Sequence, residues 1–251
     1  MANRSYLYSL DNRPTSYSDR PNTISGLSEW PYRIPFSYYL LLSGSPQLCA
    51  SLISDGLDND EPDNPTPLWA ISGEFDAGYA RLRKLLAALA VLAGPPKPTL
   101  AQRIARRLTG DKAERAPRLP DMAEAITDTI KFLDARRDDY LLLEIVELSI
   151  MDSDTAEALR DDAEHELALC RAAGEAVDAL PDSPEYAAKV LMAATQQKYD
   201  GPLSMLHELR LDDYFDHTRD HKTNFPLGLN EWSDVLFFDL DDAEEFENRV
   251  A

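Results

Sequence analysis

The side chains with the most chemical potential in this chain are four histidines and a large surplus of carboxylates. His217 and His221 are four residues apart, and His207 lies upstream. On a helix that spacing puts two imidazoles on one face, where Asp213 or Asp216 would supply a third metal ligand. The metalloprotease pattern H-E-x-x-H is absent, because Leu211 stands where its second His belongs after His207-Glu208. Spacing alone is a weak signal, so the segment reads as surface histidines among acids, with no metal and no cofactor. His165, inside a charged helical segment, reads as a solvated side chain. Adjacent acids recur at Asp161-Asp162, Asp212-Asp213, Asp241-Asp242 and Glu244-Glu245. Acid–base catalysis by a carboxyl pair needs one member in a pocket that raises its pKa. Neighbouring acids on charged helices instead predict a solvated face or a face that meets a partner.

Patterns for phosphate, nucleophile and calcium chemistry fail residue by residue. No two of the ten glycines fall at G-x-G spacing. Gly73 and Gly78 have the gap of a phosphate-binding loop, but Tyr79 and Ala80 replace the Lys and Ser/Thr that grip phosphate and magnesium. No G-x-S-x-G elbow occurs. Asp58 and Asp60 begin like a calcium loop, yet Pro62 and Asp63 stand where an oxygen ligand and a turn-making Gly are required. Cys49 and Cys170 are too few and too far apart for a disulfide framework or a zinc site. They read as reduced, partly buried thiols. No catalytic residue is assigned.

Charge narrows the partners. The formal net charge is -20, and it is uneven. Residues 1–150 hold 17 Lys and Arg against 20 Asp and Glu; residues 151–251 hold 8 against 25. The second part therefore carries -17. Phosphate backbones and anionic membrane surfaces need clustered Lys and Arg, so neither is an expected partner. A basic protein surface is. The only basic stretch, residues 97–118, has seven Lys and Arg against two acids. It reads as a linker or short helix with a solvated face. No apolar run spans a bilayer and no signal core opens the chain, which predicts a soluble, cytoplasmic protein.

The elements that must position these groups follow from periodicity. Arg4–Leu10 alternates, with Tyr6, Tyr8 and Leu10 on one face, and predicts a strand. Asp11 to Glu29 reads as loop. Phe36–Leu42 predicts a helix opened by Pro35, and the stretch from Ser45 or Pro46 to Ile53 a second short one. Leu68–Ser72 predicts a strand paired with the first. Phe75, Tyr79, Leu82, Leu86 and Leu89 make one helical stripe, and Leu119, Met122, Ile126, Ile130 and Leu133 another. Tyr140–Met151, apolar nearly all round, predicts the central helix of a bundle. Asp154 with Glu157 fits a capping box for a helix carrying Leu159, Ala163, Cys170 and Val177. Ser183-Pro184-Glu185 opens a further helix, and Asp200-Gly201-Pro202 ends it. Val235–Leu240 predicts a strand returning to the N-terminal sheet.

The expected fold is α+β and predominantly α: a helical bundle with a small N-terminal sheet that takes up a C-terminal strand. Four regions follow: an α+β lobe at 1–94, the basic linker at 95–118, an acidic helical bundle at 119–225 and a returning segment at 226–251, all within reach of one compact domain.

Three stretches carry a resemblance: Met1-Ala2-Asn3-Arg4-Ser5-Tyr6-Leu7-Tyr8; Ile34–Leu57 with Pro35, Pro46-Gln47-Leu48 and Ser51-Leu52-Ile53; and Trp232–Phe238. Together they resemble a family of bacterial proteins that open with an Asn-Arg-Ser-Tyr-Leu-Tyr strand and occur among immunity proteins of secreted antibacterial toxins. The likeness covers about the first third and a short C-terminal piece. It implies a protein that binds and silences a cognate toxin in the producer's cytoplasm, and it transfers no site residues. With the charge, it points to an acidic surface over a basic toxin cleft. The candidate contact residues are Asp212, Asp213, Tyr214, Phe215, Asp216, Asp220, Trp232, Asp241, Asp242, Glu244 and Glu245, with the aromatics as anchors. The alternative is a hydrolase, possible as a metal enzyme, with a site around His207–His221.

Overall fold

The strand at the N-terminus forms as its alternation requires. β1 (Arg4–Leu10) turns Tyr6, Tyr8 and Leu10 into one apolar layer and Leu7 into the other, and Tyr6 through Leu10 are all buried. The computed structural model describes residues 3–57, 60, 65–94, 122–151, 153, 155–211 and 226–250. The basic stretch 97–118, most of the acidic loop 58–64 and the segment 212–225 lie outside these residues.

β2 (Ile24–Pro31) pairs antiparallel with β1, from Arg4 opposite Pro31 to Leu10 opposite Ile24. This corrects the expectation of loop to Glu29. The register slips between Leu7 and Tyr8, so Leu27 is the extra residue of a bulge, and the bulge breaks the period-2 signal. β3 (Gln47–Ala50) is a strand where a short helix was expected; it is a four-residue edge strand paired with β4 (Trp69–Glu74). The largest correction concerns residues 140–151. They split into β5 (Tyr140–Glu144) and a single helical turn, α4 (Val146–Ser149). A short apolar run bounded by turns fits a strand covered on both faces as well as a buried helix. β5 takes the centre of the sheet, antiparallel to β1 and β4, in the order β2-β1-β5-β4-β3. β4 therefore meets β5, not β1 as expected.

The helices cover one face of this sheet. α1 (Phe36–Leu42) is buried at all seven residues and packs against α2 (Phe75–Ala93) and α5 (Ala156–Asp178). α3 (Met122–Asp134) and α6 (Pro184–Gln196) pack on α2. A 3-10 turn at Pro202–Leu206 closes against α5. Pro35 takes the cap position of α1 rather than its first turn. α5 is capped by Thr155, whose hydroxyl accepts from the Ala158 N–H at 3.3 Å; Asp154 lies outside the described residues. Pro184 opens α6 as expected, while the Ser183 hydroxyl bonds Glu185 instead of the backbone. Arg81 on α2 fixes the end of α1, donating to the Ser43 carbonyl at 2.8 Å while its fork holds Asp178 at the end of α5.

The opposite face holds Tyr6, Tyr8, Leu10, Cys49, Ala70 and Leu142. The C-terminal segment returns to cover it, but not as the strand expected at Val235–Leu240. One isolated bridge, Ser28 opposite Trp232, is its share of the sheet. Beyond it the backbone is taken by side chains: Val235 N–H by the Ser233 hydroxyl at 3.1 Å and Phe237 N–H by Glu29 at 2.6 Å. Such local bonds compete with ladder formation. The segment ends in α7 (Ala243–Val250), where Arg20 lies between the rings of Tyr17 and Phe246 at 4.4 and 4.5 Å. Both cysteines are buried and free. Among the described residues no helix is long and apolar enough to cross a membrane.

Trp232 is the pin of this returning segment. Its indole N–H donates to the Thr129 hydroxyl at 2.8 Å, and its ring lies 6.0 Å from that of Phe132. Trp232→Phe keeps the ring contact and deletes the donor, so it is expected to cost about 1 kcal/mol in urea denaturation. An unchanged midpoint would mean that the hydrogen bond contributes nothing net.

Candidate functional site

The acidic candidates near the C-terminus have local partners. The Asp242 carboxylate accepts from Glu245 N–H at 2.9 Å, and Glu245 reaches back to Asp242 N–H at 3.4 Å. This is a reciprocal cap on α7, placing negative charge at a helix start where it is favourable. Asp241 pairs with Arg249 at 2.8 Å. Glu244 is exposed, and Trp232 is half-buried in the fold as described. Asp212, Asp213, Tyr214, Phe215, Asp216 and Asp220 lie outside the described residues, as do His217 and His221. His207 lines a shallow groove of about 620 Å³ with Leu169, Glu175, Lys198 and Met205. Among the described residues, no three His, Cys, Asp or Glu side chains converge as metal ligands.

A different constellation forms where the β2–α1 link, α1, α4 and α5 meet. A cavity of about 420 Å³ is lined there by Tyr32, Arg33, Tyr39, Asp162, His165 and Glu166, with Ile145, Leu148 and Met151 as apolar wall. Each element is placed by a readable cause. The stripe of α5, Leu159, Ala163, Leu167 and Cys170, is buried against the core, which leaves Asp162 and Glu166, one turn apart, at the stripe's edge. α1 is held by its apolar faces, so Tyr39 has only its hydroxyl to satisfy. Tyr39 donates that hydroxyl to Glu166 at 2.5 Å. The Ser153 hydroxyl donates to Asp162 at 3.0 Å. Tyr32 adopts φ of 61°, a conformation unusual for a bulky residue, and leaves its ring 60% exposed at the cavity mouth.

The electrostatics follow from burial. Glu166 is raised above the ordinary carboxylate range because it is desolvated; the Tyr39 hydrogen bond and the charge on His165 oppose this, and Asp162 adds to it. Tyr39 is raised as well, by burial and by the adjacent Glu166. His165 is exposed, as the sequence predicts, but it stands at the cavity edge.

Glu144 is a second carboxylate the residue types alone did not single out. It is fully buried on the strap-covered face of β5, opposite Tyr6 on β1 and Ala70 on β4. It accepts from the Ser51 hydroxyl at 2.8 Å and the Leu52 N–H at 2.6 Å. Burial pushes it up to about 7, against the pull of those two bonds and of the charge on Arg20. A signal for it exists in the sequence: it is the lone charge in the run Tyr140–Val146. No such signal joins Tyr39 to Glu166, which are 127 positions apart.

No curated protein and no solved structure matches this chain. A family profile described as a domain of unknown function, DUF7822, matches residues 11–197. That span is about three quarters of the sequence, and it contains Tyr39, Glu144, Asp162, His165 and Glu166. The chain belongs to the DUF7822 family.

Proposed function

We propose that this protein is a binding protein without catalytic activity, an immunity factor that neutralises a cognate antibacterial toxin by laying an acidic surface over a basic active-site cleft. The observation that carries this reading is the outer face of α5. Seven acids and two arginines lie along that helix, and Glu157, Asp161 and Glu164 share one exposed side. Beside them stands a cavity whose lining includes exposed Tyr32 and Met151, 60% and 52% accessible. Exposed large apolar side chains within a field of like charge are the composition of an association surface: the apolar groups hold, and the charge steers.

Two measurements test the reading. Co-purification with the product of the adjacent gene is expected to give a stable complex. In that complex, reversing Glu157, Asp161 and Glu164 to Lys is expected to slow association at low salt by about tenfold and to flatten its salt dependence. A second variant reverses Asp212, Asp213 and Asp216, the acids of the segment at 212–220. Absence of a complex, or association rates unmoved by both reversals, would rule out the acidic-surface mechanism.

A further inference from the structure

We infer that the groove holding residues 226–242 is a receptor for an extended acidic segment, filled here by the chain's own residues and open in trans to a partner segment of the same chemistry. Between Pro226 and Asp242 the chain forms no helix, and its share of the sheet is the single bridge at Trp232. Its path is set by what it lies against. Hydroxyls of the body reach its carbonyls: Ser37 that of Gly228 at 2.8 Å, Thr129 that of Leu229 at 3.3 Å, Ser28 that of Glu231 at 2.5 Å and Tyr8 that of Phe238 at 2.7 Å. Its N–H groups are met as well, that of Ser233 by the Leu27 carbonyl at 3.0 Å and that of Phe237 by Glu29 at 2.6 Å. Bonds to the main chain hold an extended segment whatever its side chains, and pockets then choose the sequence. Leu227 and Leu229 are buried, and Gly228 between them has φ of 78° and leaves no room for a Cβ, which would stand 2.5 Å from Pro35. Further on, Leu236, Phe238 and Leu240 pack on the layer of Tyr6 and Tyr8, while Val235 turns out, 82% exposed.

Charge identifies the occupant. Residues 226–242 carry Glu231, Asp234, Asp239, Asp241 and Asp242 and no Lys or Arg. The body meets them with arginines. Arg136 pairs with Asp234 at 2.5 Å, and Arg4 lies 4.9 Å over the ring of Phe237. Arg20 is buried, its Nε has no hydrogen-bond acceptor, and it lies in the field of Asp241. A buried cation of this kind favours a segment that arrives negatively charged. Glu29 is the opposing charge, acting on Glu231; it is itself paired with Arg4 at 3.1 Å, and it meets the segment at an N–H. The groove and its occupant are also separable in the sequence. The matched family span, residues 11–197, holds Leu27, Ser28, Glu29, Ser37, Thr129 and Arg136 but none of the segment.

The inference stands apart from the toxin-binding reading, and its test uses a peptide in place of a partner. A fluorescein-labelled peptide of residues 226–242 is titrated into the full chain and followed by anisotropy. In the unmodified protein the chain's own segment competes, so the apparent affinity is reduced to the fraction of molecules whose groove is open. Two full-chain variants raise that fraction. Trp232→Ala removes the donor to Thr129, and Asp234→Lys, at an exposed position, sets a cation against Arg136. Each is expected to bind the peptide at least about tenfold more tightly than the unmodified protein does. If Trp232→Ala does not fold by circular dichroism, Asp234→Lys carries the test alone. A Gly228→Ala peptide, and one with Asp234, Asp239, Asp241 and Asp242 all changed to Asn, are expected to bind at least about tenfold more weakly. A Val235→Ser peptide is expected to bind like the parent peptide. The inference is overturned if no chain gives a saturable rise up to the solubility limit, if the unmodified and variant chains bind alike, or if the Gly228→Ala and Asn peptides bind as well as the parent. A concentration-dependent dimer of the Asp234→Lys chain that free peptide dissolves would support the groove and make a second copy the source of the segment.

Discussion

Gly78→Ala is expected to destabilise the protein by at least about 3 kcal/mol. Helix propensity predicts the opposite sign, because Ala in a helix interior is favoured over Gly by about 1 kcal/mol. Packing decides. A Cβ at Gly78 would stand 1.7 Å from the Leu41 carbonyl oxygen, and one at Gly73 would stand 2.5 Å from that of Leu42. Both contacts are with backbone, so no rotamer change relieves them. The end of α1 lies against the β4–α2 junction, main chain to main chain, and Glu74 N–H donates to the Gly44 carbonyl there at 2.5 Å. Parting the two helices would also pull Arg81 from Ser43 and move Tyr39 away from Glu166. Urea denaturation of Gly78→Ala measures the cost. A midpoint equal to or above that of the unmodified protein would show that the helices separate freely, and that the close approach is not needed for stability.

Glu144→Gln is expected to make stability depend less on pH, by roughly 3 kcal/mol between about pH 4.5 and pH 8. The sign follows from where the proton is held. In the unfolded chain the carboxyl titrates at its ordinary value of 4.5, while in the folded protein burial pushes it up to about 7. Below the lower value it is neutral in both states and costs nothing. As pH rises toward 7 the unfolded chain releases the proton first, so stability falls across that window and levels off above it. Glutamine keeps an oxygen for the Leu52 N–H and never ionises. The variant should therefore match the parent near the acidic end and exceed it at about pH 8, by about 6–12 °C in Tm. The difference between the two proteins at each pH cancels the titration of every other group. A constant difference across the window would mean that Glu144 is not desolvated as placed.

How much of this could be read from the sequence depends on which periods survive in the final packing. β1 and α2 are legible because each shows one face to the core, and Tyr6-Tyr8-Leu10 and Phe75-Tyr79-Leu82 record it. β2 is not, because the bulge at Leu27 shifts Trp30 out of the alternation begun at Ile24. β5 is not, because a strand in the middle of a sheet covered on both sides has no polar face to alternate with. Its one polar residue, Glu144, was the available clue that the run was not a uniform bundle helix. The C-terminal return was legible in outline from the apolar run Val235–Leu240; its failure to form a strand rests on the hydroxyl of Ser233 and the carboxylate of Glu29, contacts that only the tertiary arrangement sets. The cavity was the least legible part. Its acids lie one turn apart on α5, but the tyrosine that orients Glu166 comes from α1, and the apolar wall comes from a turn first read as the continuation of a helix.

The strand order has a consequence for how the chain is made. The β1–β2 and β3–β4 hairpins are complete by Glu74, but the strand that joins them begins at Tyr140. At ordinary rates of synthesis the ribosome needs on the order of 3 to 13 seconds to add the intervening residues. Through that interval β1 and β4 each leave the exit tunnel with an open edge, and open edges recruit whatever strand arrives first. Slowing synthesis between Glu74 and Tyr140 is therefore expected to lengthen the time these edges stay open and to lower the soluble fraction in expression, a change that codon-level pausing in that interval would measure.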